Sequence, residues 1–374
     1  MTPSPLMPRR QFLGRISAAA ALTLLPRRAR ADDGAGRKKG IALVGLGRYS
    51  TDELGPALRE TRLCRLAGVV TGEADKGRRW AREYGFSENS IYNYDTMERI
   101  ADNPEIDIIY VVTPNALHRR HVEAAARTGK NVICEKPMAT SVADCDAMIA
   151  ACRRAGVKLD IGYRLHYEPY TREFIRIART EEFGPFMAMK GGNGFRVGDD
   201  ETPETLWRIR KSLSGGGPLM DMGVYVIQAV CMAKAEASPV AVTAQFGPNT
   251  RPQIFSQVEE TITWTMEYPD GAQARCESSY ANNETYFHAR ATHGWVDLGR
   301  QPFFYHGQSL KTSAGDRYFP PVNQQALQMD GMIREWTEGL PSSAPGEMGR
   351  RDVAIIEAIY ASANAGGKRV DVQV

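Results

Sequence analysis

A chain of 374 residues with 43% hydrophobic and 24% charged side chains is long enough for two packed cores and too apolar to be a disordered polymer. Its formal charge of +3 hides an asymmetry: residues 1–31 hold six of its 47 basic side chains and none of its 44 acidic ones. Without that segment, 41 basic groups face 44 acidic ones, and the resulting −3 gives a nucleic-acid partner no electrostatic footprint.

The first segment reads as an export address. Arg9 and Arg10 form a pair, an apolar run follows from Ile16 to Leu25, and Ala29-Arg30-Ala31 is a small-x-small cleavage pattern. The run is too short to span a bilayer, and the order of charge, apolar run and cut resembles a twin-arginine (Tat) signal, which exports folded proteins. The expected location is the periplasm, with the Tat machinery as a partner. No later apolar run reads as a membrane span. The six cysteines show neither CxxC nor framework spacing, and a protein folded in the cytoplasm before export needs no disulfides, so they are expected as small buried hydrophobes.

Ile41 to Val44 is a continuous apolar run, the pattern of a central parallel strand. Gly45-Leu46-Gly47-Arg48-Tyr49-Ser50 follows, a GxGxxG pattern with serine in the third position. Gly45 permits the tight turn, Gly47 lets a pyrophosphate approach the backbone, and the helix start supplies free N–H groups. Cys64 to Val70 is predicted as the second strand, Ala74 to Tyr84 as a helix, Ile106 to Val112 as a strand, His118 to Thr128 as a helix, and Asn131 to Cys134 as a strand. Strand and helix alternating at this spacing is a doubly wound parallel sheet.

The end of the second strand reports on the adenosine ribose. An acid there favours NAD, whereas this chain has Thr71, with Lys76, Arg78, Arg79 and Arg48 near in sequence. A hydroxyl among cations suits a 2′-phosphate and favours NADP, with Glu73 keeping NAD open. The strand ending at Cys134 runs into Glu135-Lys136-Pro137, which puts Lys136 where ligands bind in open α/β sheets. Farther on, Asp221 and Tyr225 are four apart after Gly215-Gly216-Gly217 and share one helical face, a carboxylate and a phenol suited to proton transfer beside a lysine.

From Ile161 the pattern changes. Phe186 to Lys190, Val240 to Phe246, Glu259 to Glu267, Ala272 to Ser279 and Tyr286 to Ala291 read as strands of a mostly antiparallel sheet, and Gln325 to Gly339 and Arg350 to Ala365 as helices. The fold class is therefore α/β: an N-terminal Rossmann dinucleotide-binding domain at 40–160, with residues 323–374 packing back on it, and a C-terminal α+β domain at 161–322 with a large sheet for substrate binding and oligomerisation. The histidines do not cluster at metal-ligand spacing, and no metal is expected.

The strings "VVTPNALH", "EKPMATSVADC", "IGYRLHYEP", "WRIRKSLSGGGPLMDMGVY" and "ESSY", in this order after Gly45-x-Gly47, resemble the glucose–fructose oxidoreductase branch of the Gfo/Idh/MocA family. The resemblance implies Lys136 beside the nicotinamide, Tyr225 as the proton relay to the sugar hydroxyl, and Asp221 orienting the pair. It implies Tyr163 and Tyr167 bordering the sugar, with Arg164 and Glu135 at the cofactor edge and Trp207 and Arg208 closing over the dinucleotide. Thr71 and Lys76 would hold the 2′-phosphate, and Gly45, Leu46, Gly47, Arg48, Tyr49, Thr113, Asn115 and His118 complete the implied cofactor contacts. A homo-oligomer through the C-terminal sheet is also implied. One departure stands out: the exported prototype has a long proline-rich arm after its signal, whereas only Asp32 to Lys39 separates cut from strand here.

Together these readings lead to a periplasmic enzyme with tightly bound NADP that oxidises an aldose at C1 and passes the hydride to a second sugar carbonyl. The alternatives are an NADP-dependent aldose 1-dehydrogenase with exchangeable cofactor and a non-catalytic dinucleotide-binding redox sensor.

Overall fold

The computed structural model describes residues 37–374, so the export signal expected at 1–31 lies outside the described residues. The first sheet has six parallel strands: β1 (Lys39–Val44), β2 (Cys64–Val70), β3 (Ile91–Tyr92), β4 (Ile108–Val111), β5 (Asn131–Cys134) and β6 (Leu159–Ile161). Their order, β3-β2-β1-β4-β5-β6, reverses between β1 and β4 and so opens a crevice at the carboxyl ends of those two strands. Ile41, Ala42, Leu43 and Val44 are fully buried, as an apolar run covered on both faces must be.

Helices α1 (Gly55–Glu60), α2 (Ala74–Tyr84), α3 (His118–Arg127) and α4 (Val142–Ala155) connect these strands. The bounds of α2 match the sequence reading, and α3 ends one residue early. Sequence reading passed over α4, although its start is signalled: the Ser141 hydroxyl accepts from the Asp144 amide, and Gly156 closes the helix at φ +68°.

The second part brings α5 (Pro169–Thr180), α6 (Lys211–Ser214) and α7 (Val224–Ala233). Its strands are β7 (Phe186–Gly194), β8 (Ala241–Phe246), β9 (Thr261–Glu267), β10 (Gln273–Ser279) and β11 (Glu284–Ala291), then the short β12 (Trp295–Asp297), β13 (Leu310–Thr312), β14 (Gly315–Arg317) and β15 (Val370–Asp371). The nine-stranded order is β14-β13-β12-β11-β7-β10-β9-β8-β15, antiparallel except for the β7–β10 pair. In β9 the alternation is plain: Ile262, Trp264 and Met266 are buried while Thr263 is exposed. By length and composition the helical run Lys211–Ala233 could cross a membrane, against the sequence reading; 89% of its apolar window is buried inside this protein, which makes α7 a core helix.

The last helices, α8 (Gln324–Glu338) and α9 (Gly346–Asn364), tie the two sheets together. On α8 the Asp330 carboxylate accepts from the amides of Arg62 and Leu63, each at 2.8 Å, at the entry to β2. Helix α9 packs against both α4 and β8, and β15 then pairs with β8. All six cysteines are free and buried.

Candidate active site

The glycine loop leaves β1 at Gly45, whose φ of +95° and closeness to the Val112 carbonyl leave no room for a side chain. A Cβ at Gly47 would meet nothing within 4 Å, so the backbone there faces open space, the feature a bound pyrophosphate needs. Ser50 replaces the third glycine without loss of packing: it is fully buried, and its hydroxyl donates to the Gly45 carbonyl at 2.6 Å. Leu46 lies in the core and offers only its backbone; Arg48 stays 94% exposed, 3.6 Å from Asp52. Thr71 is buried at the end of β2, where its hydroxyl accepts from the Glu73 amide, and the Lys76 ammonium lies 4.0 Å from Glu73. Beside them Tyr94 stacks on His121 at 5.1 Å, an aromatic floor near Gly72 that no sequence motif announced. These groups fit a dinucleotide: open backbone for the phosphates, hydroxyl and ammonium for a ribose substituent.

The chemistry-bearing groups gather at the carboxyl end of β5. After the cis Lys136–Pro137 peptide bond and the turn it belongs to, the Lys136 ammonium donates to the Asp221 main-chain carbonyl at 2.9 Å. It also lies 3.6 Å from the Asp221 carboxylate and 4.4 Å from the centre of the Tyr225 ring. The turn carrying Asp221, Leu219–Gly223, is π-helical and runs directly into α7, so the four-residue spacing still directs both side chains toward Lys136. Asp221 also accepts from Arg208 Nε and from the Tyr280 hydroxyl, both at 3.0 Å. Burial opposes its ionisation, but Arg208, Lys136 and Tyr280 outweigh burial and hold the carboxyl below the usual aspartate range.

On the other side of Tyr225, Arg164 Nη2 donates to the phenol oxygen at 3.4 Å and to the Phe303 carbonyl at 2.5 Å. Its guanidinium lies between the Tyr225 and Tyr305 rings, 5.2 and 4.5 Å from their centres. Glu135, buried, accepts from the Tyr110 hydroxyl at 2.6 Å and from the Lys136 amide at 3.1 Å. Burial raises its carboxyl above the usual glutamate range, with Tyr110, Lys136 and Arg164 opposing that rise. The Arg208 guanidinium stacks 4.9 Å from the Trp207 ring, and Tyr49 packs 6.1 Å from Tyr305.

Three residues expected at the site make their contacts elsewhere. Tyr163 and Tyr167 do not reach the Lys136–Tyr225 cluster, because the short 3-10 turn Arg164–Tyr167 sends only Arg164 there. Tyr163 is buried and stacks on His166, while the Tyr167 hydroxyl donates to Glu335 on α8 at 2.9 Å. His118 is fully buried, with Nε2 at 2.8 Å from the Thr113 carbonyl and Nδ1 at 3.1 Å from the carbonyls of Pro137 and Met138. It pins the loops after β4 and β5 and has no free atom for a cofactor. Thr113 bonds His121 at 3.0 Å, and the Asn115 amide holds the Ser214 carbonyl at 2.8 Å, which anchors the turn before the three glycines. Tyr280, Phe303, Tyr305 and Gln324 were missed; of these only Tyr280 stood inside a quoted motif.

Comparison with known proteins agrees with this layout. Residues 39–163 match the model of the Gfo/Idh/MocA oxidoreductase family with an NAD-binding Rossmann fold, and residues 172–297 match that of the Gfo/Idh/MocA C-terminal domain. The solved aldose-aldose oxidoreductase of Caulobacter crescentus, complexed with glycerol, is 38% identical, covers 90% of this chain and 100% of its own, and superposes with a TM-score of 0.84. The NADP-dependent D-xylose 1-dehydrogenase of Haloarcula marismortui is 27% identical over 327 residues, 86% of this chain and 89% of that one. A second NADP-dependent D-xylose 1-dehydrogenase, from Haloferax volcanii, is 28% identical over 282 residues, 73% of this chain and 83% of its own.

Proposed function

Because the chain belongs to the Gfo/Idh/MocA family of oxidoreductases, we propose that it acts on sugars, oxidising an aldose at C1 to the lactone and reducing a second sugar carbonyl, with one NADP retained between the two halves. The observation that carries this reading is the Tyr225 phenol held between two cations, Lys136 4.4 Å from its ring and Arg164 3.4 Å from its oxygen. When bound, the nicotinamide supplies the hydride acceptor for the first half and the donor for the second. The protein's own part is the proton. The Tyr225 oxygen, bonded by Arg164 and with Lys136 against its ring, is placed to take the C1 hydroxyl proton as the hydride leaves C1. In the return half Tyr225 gives that proton to the carbonyl oxygen of the second sugar. Asp221, fixed by Arg208 and Tyr280, holds Lys136 in place. The Gly47 backbone would receive the phosphates, and Thr71 and Lys76 would hold the 2′-phosphate that distinguishes NADP.

The same reading includes export in folded form through the twin-arginine route, so that the nucleotide is loaded before the chain reaches the periplasm, and self-association through the large sheet. The test uses the purified chain lacking residues 1–31, mixed with glucose and fructose and no added nucleotide. Gluconate and sorbitol forming in equal amounts is the expected result. Turnover that appears only with excess soluble NADP overturns retention and leaves an aldose 1-dehydrogenase, the activity named for the two haloarchaeal relatives.

A further inference from the structure

Between β12 and β13 the chain makes an excursion, residues 298–309, with no strand pairing of its own. It is fastened by side chains. Arg164 donates to the carbonyls of Phe303, at 2.5 Å, and Phe304, at 3.2 Å; Gln324 donates to those of Phe304 and Tyr305, at 3.1 Å each. The Gln324 carboxamide oxygen in turn accepts from Arg164, so the two anchors fix each other. Outward of these anchors, the Tyr305 ring lies 6.1 Å from that of Tyr49, which caps the glycine-loop helix, the π-helical turn Ser50–Leu54 that runs into α1; inward, Phe303 stacks on Tyr225 at 6.1 Å. The excursion thus spans from the phosphate side of the site to the proton-transfer side. Its ends carry Gly299 and Gly307 at φ +73° and +78°, and a Cβ would collide with Ser309 Oγ at the first and Gln301 Oε1 at the second. A second tie joins the start of α8 to the helix following the glycine loop: Gln325 donates to Glu53 at 3.3 Å and Asn323 to Glu60 at 3.0 Å.

We propose that residues 299–308 form a strap that slows departure of the dinucleotide, with Tyr305 as its contact on the glycine-loop helix and Arg164 and Gln324 as its anchors. The inference rests on the nucleotide-retaining reading above and supplies a device for it: a segment of the second domain closes over the crevice. The fastenings are hydrogen bonds to main-chain carbonyls and ring contacts, which open and reclose, so the strap sets a release rate and permits loading.

The test measures the release rate of NADPH from the loaded mature chain, by the loss of bound-nucleotide fluorescence in the presence of an excess of a scavenging dehydrogenase. Tyr305→Ala is expected to speed release about tenfold or more, since related complexes differ chiefly in their off-rates. Tyr305→Phe, which keeps the ring, should stay within about twofold, and Tyr318→Ala, at a site 83% exposed and outside the strap, should match the unaltered chain. Gln324→Glu, which retains size but turns a donor into an acceptor facing two carbonyls, should speed release about threefold or more and decides the matter if Tyr305→Ala does not fold. Release from both strap variants within twofold of the unaltered chain, with unchanged melting of the nucleotide-free forms, overturns the proposal. The ratio of variant to unaltered rate decides it. A fast absolute rate in the unaltered chain would count only against retention, so the two failures are separable.

Discussion

Asp221 and Asp160, two of the aspartates largely withdrawn from water, keep opposite electrostatic company. Asp221 sits between Arg208, Lys136 and the Tyr280 hydroxyl, and these overcome its burial and hold it ionised. Asp160, on β6 under the end of α8, is 3% exposed and accepts from Trp336 Nε1 at 3.0 Å. Burial pushes Asp160 up to about 7; Ser342 and Trp336 oppose the rise, and Glu335 adds to it. A buried carboxylate stays charged only where cations are brought to it, and at Asp221 one of those cations, Lys136, also lies against the Tyr225 ring. Asp221 therefore stays ionised through neutral pH, while Asp160 at the α8–β6 junction changes charge there.

The largest effect should come from the group that this fixed charge serves. Tyr225→Phe keeps the ring between Lys136 and Arg164 and removes the hydroxyl proposed to carry the proton. It is expected to lower kcat about 10²- to 10⁴-fold with nucleotide content unchanged, read by steady-state rates and nucleotide absorbance. Unchanged turnover would remove Tyr225 from the chemistry. Asp221→Asn comes next, because it leaves Arg208 and Lys136 without their counter-charge. A loss of about 3 kcal/mol in denaturant unfolding at pH 7 is expected. The sign with pH follows from the lowered carboxyl: its contribution is present above the unfolded aspartate pKa and is lost as pH falls through the folded value. The penalty of Asp221→Asn should therefore shrink in acid.

The contrast between these regions also marks what the sequence discloses. Lys136 and the glycine loop were legible because each follows a buried parallel strand directly, and strand ends in such a sheet are where ligands bind. Asp221 and Tyr225 were legible from a spacing of four, which the π-helical turn preserved. The partners that give them meaning were not: Tyr280 lies 59 residues from Asp221, and Phe303 and Gln324 lie 139 and 160 residues from Arg164. No local periodicity encodes contacts across the crevice. Tyr163 and Tyr167 were expected beside the sugar and have their contacts with His166 and Glu335 for a related reason. A motif locates a segment, whereas the turn conformation decides which of its side chains faces the site. His118 stood in the right string but serves the framework, because both its ring nitrogens are taken by backbone carbonyls.

The Asp160 side of the comparison predicts a pH dependence of the opposite sign. Its folded pKa, about 7, exceeds the unfolded value of ~3.9, so the native state binds more protons between them. The stability this contributes is full below pH ~4 and is lost as pH rises toward 7. Unfolding free energy should fall between pH 5 and pH 8 by on the order of 1–3 kcal/mol from this residue, and Asp160→Asn, which can still accept from Trp336, should flatten that slope. An unaltered slope in the variant would mean that another group titrates there.

The smallest effect is also the most selective. Trp336→Phe removes the indole donor to Asp160, and the cost depends on what that donor faces. Toward a neutral carboxyl a hydrogen bond contributes about 1 kcal/mol; toward a carboxylate, about 1.5–3 kcal/mol. The indole should therefore matter more at pH 8, where Asp160 is ionised, than at pH 5. Lost ring volume is common to both conditions and cancels in a double-mutant cycle with Asp160→Asn. A coupling energy larger at pH 8 than at pH 5 would show that neutral donors, Trp336 among them, support this buried charge, in place of the two cations that support Asp221. Equal coupling at both values would mean that Asp160 does not change charge in this window, and the distinction between the two aspartates would then rest on geometry alone.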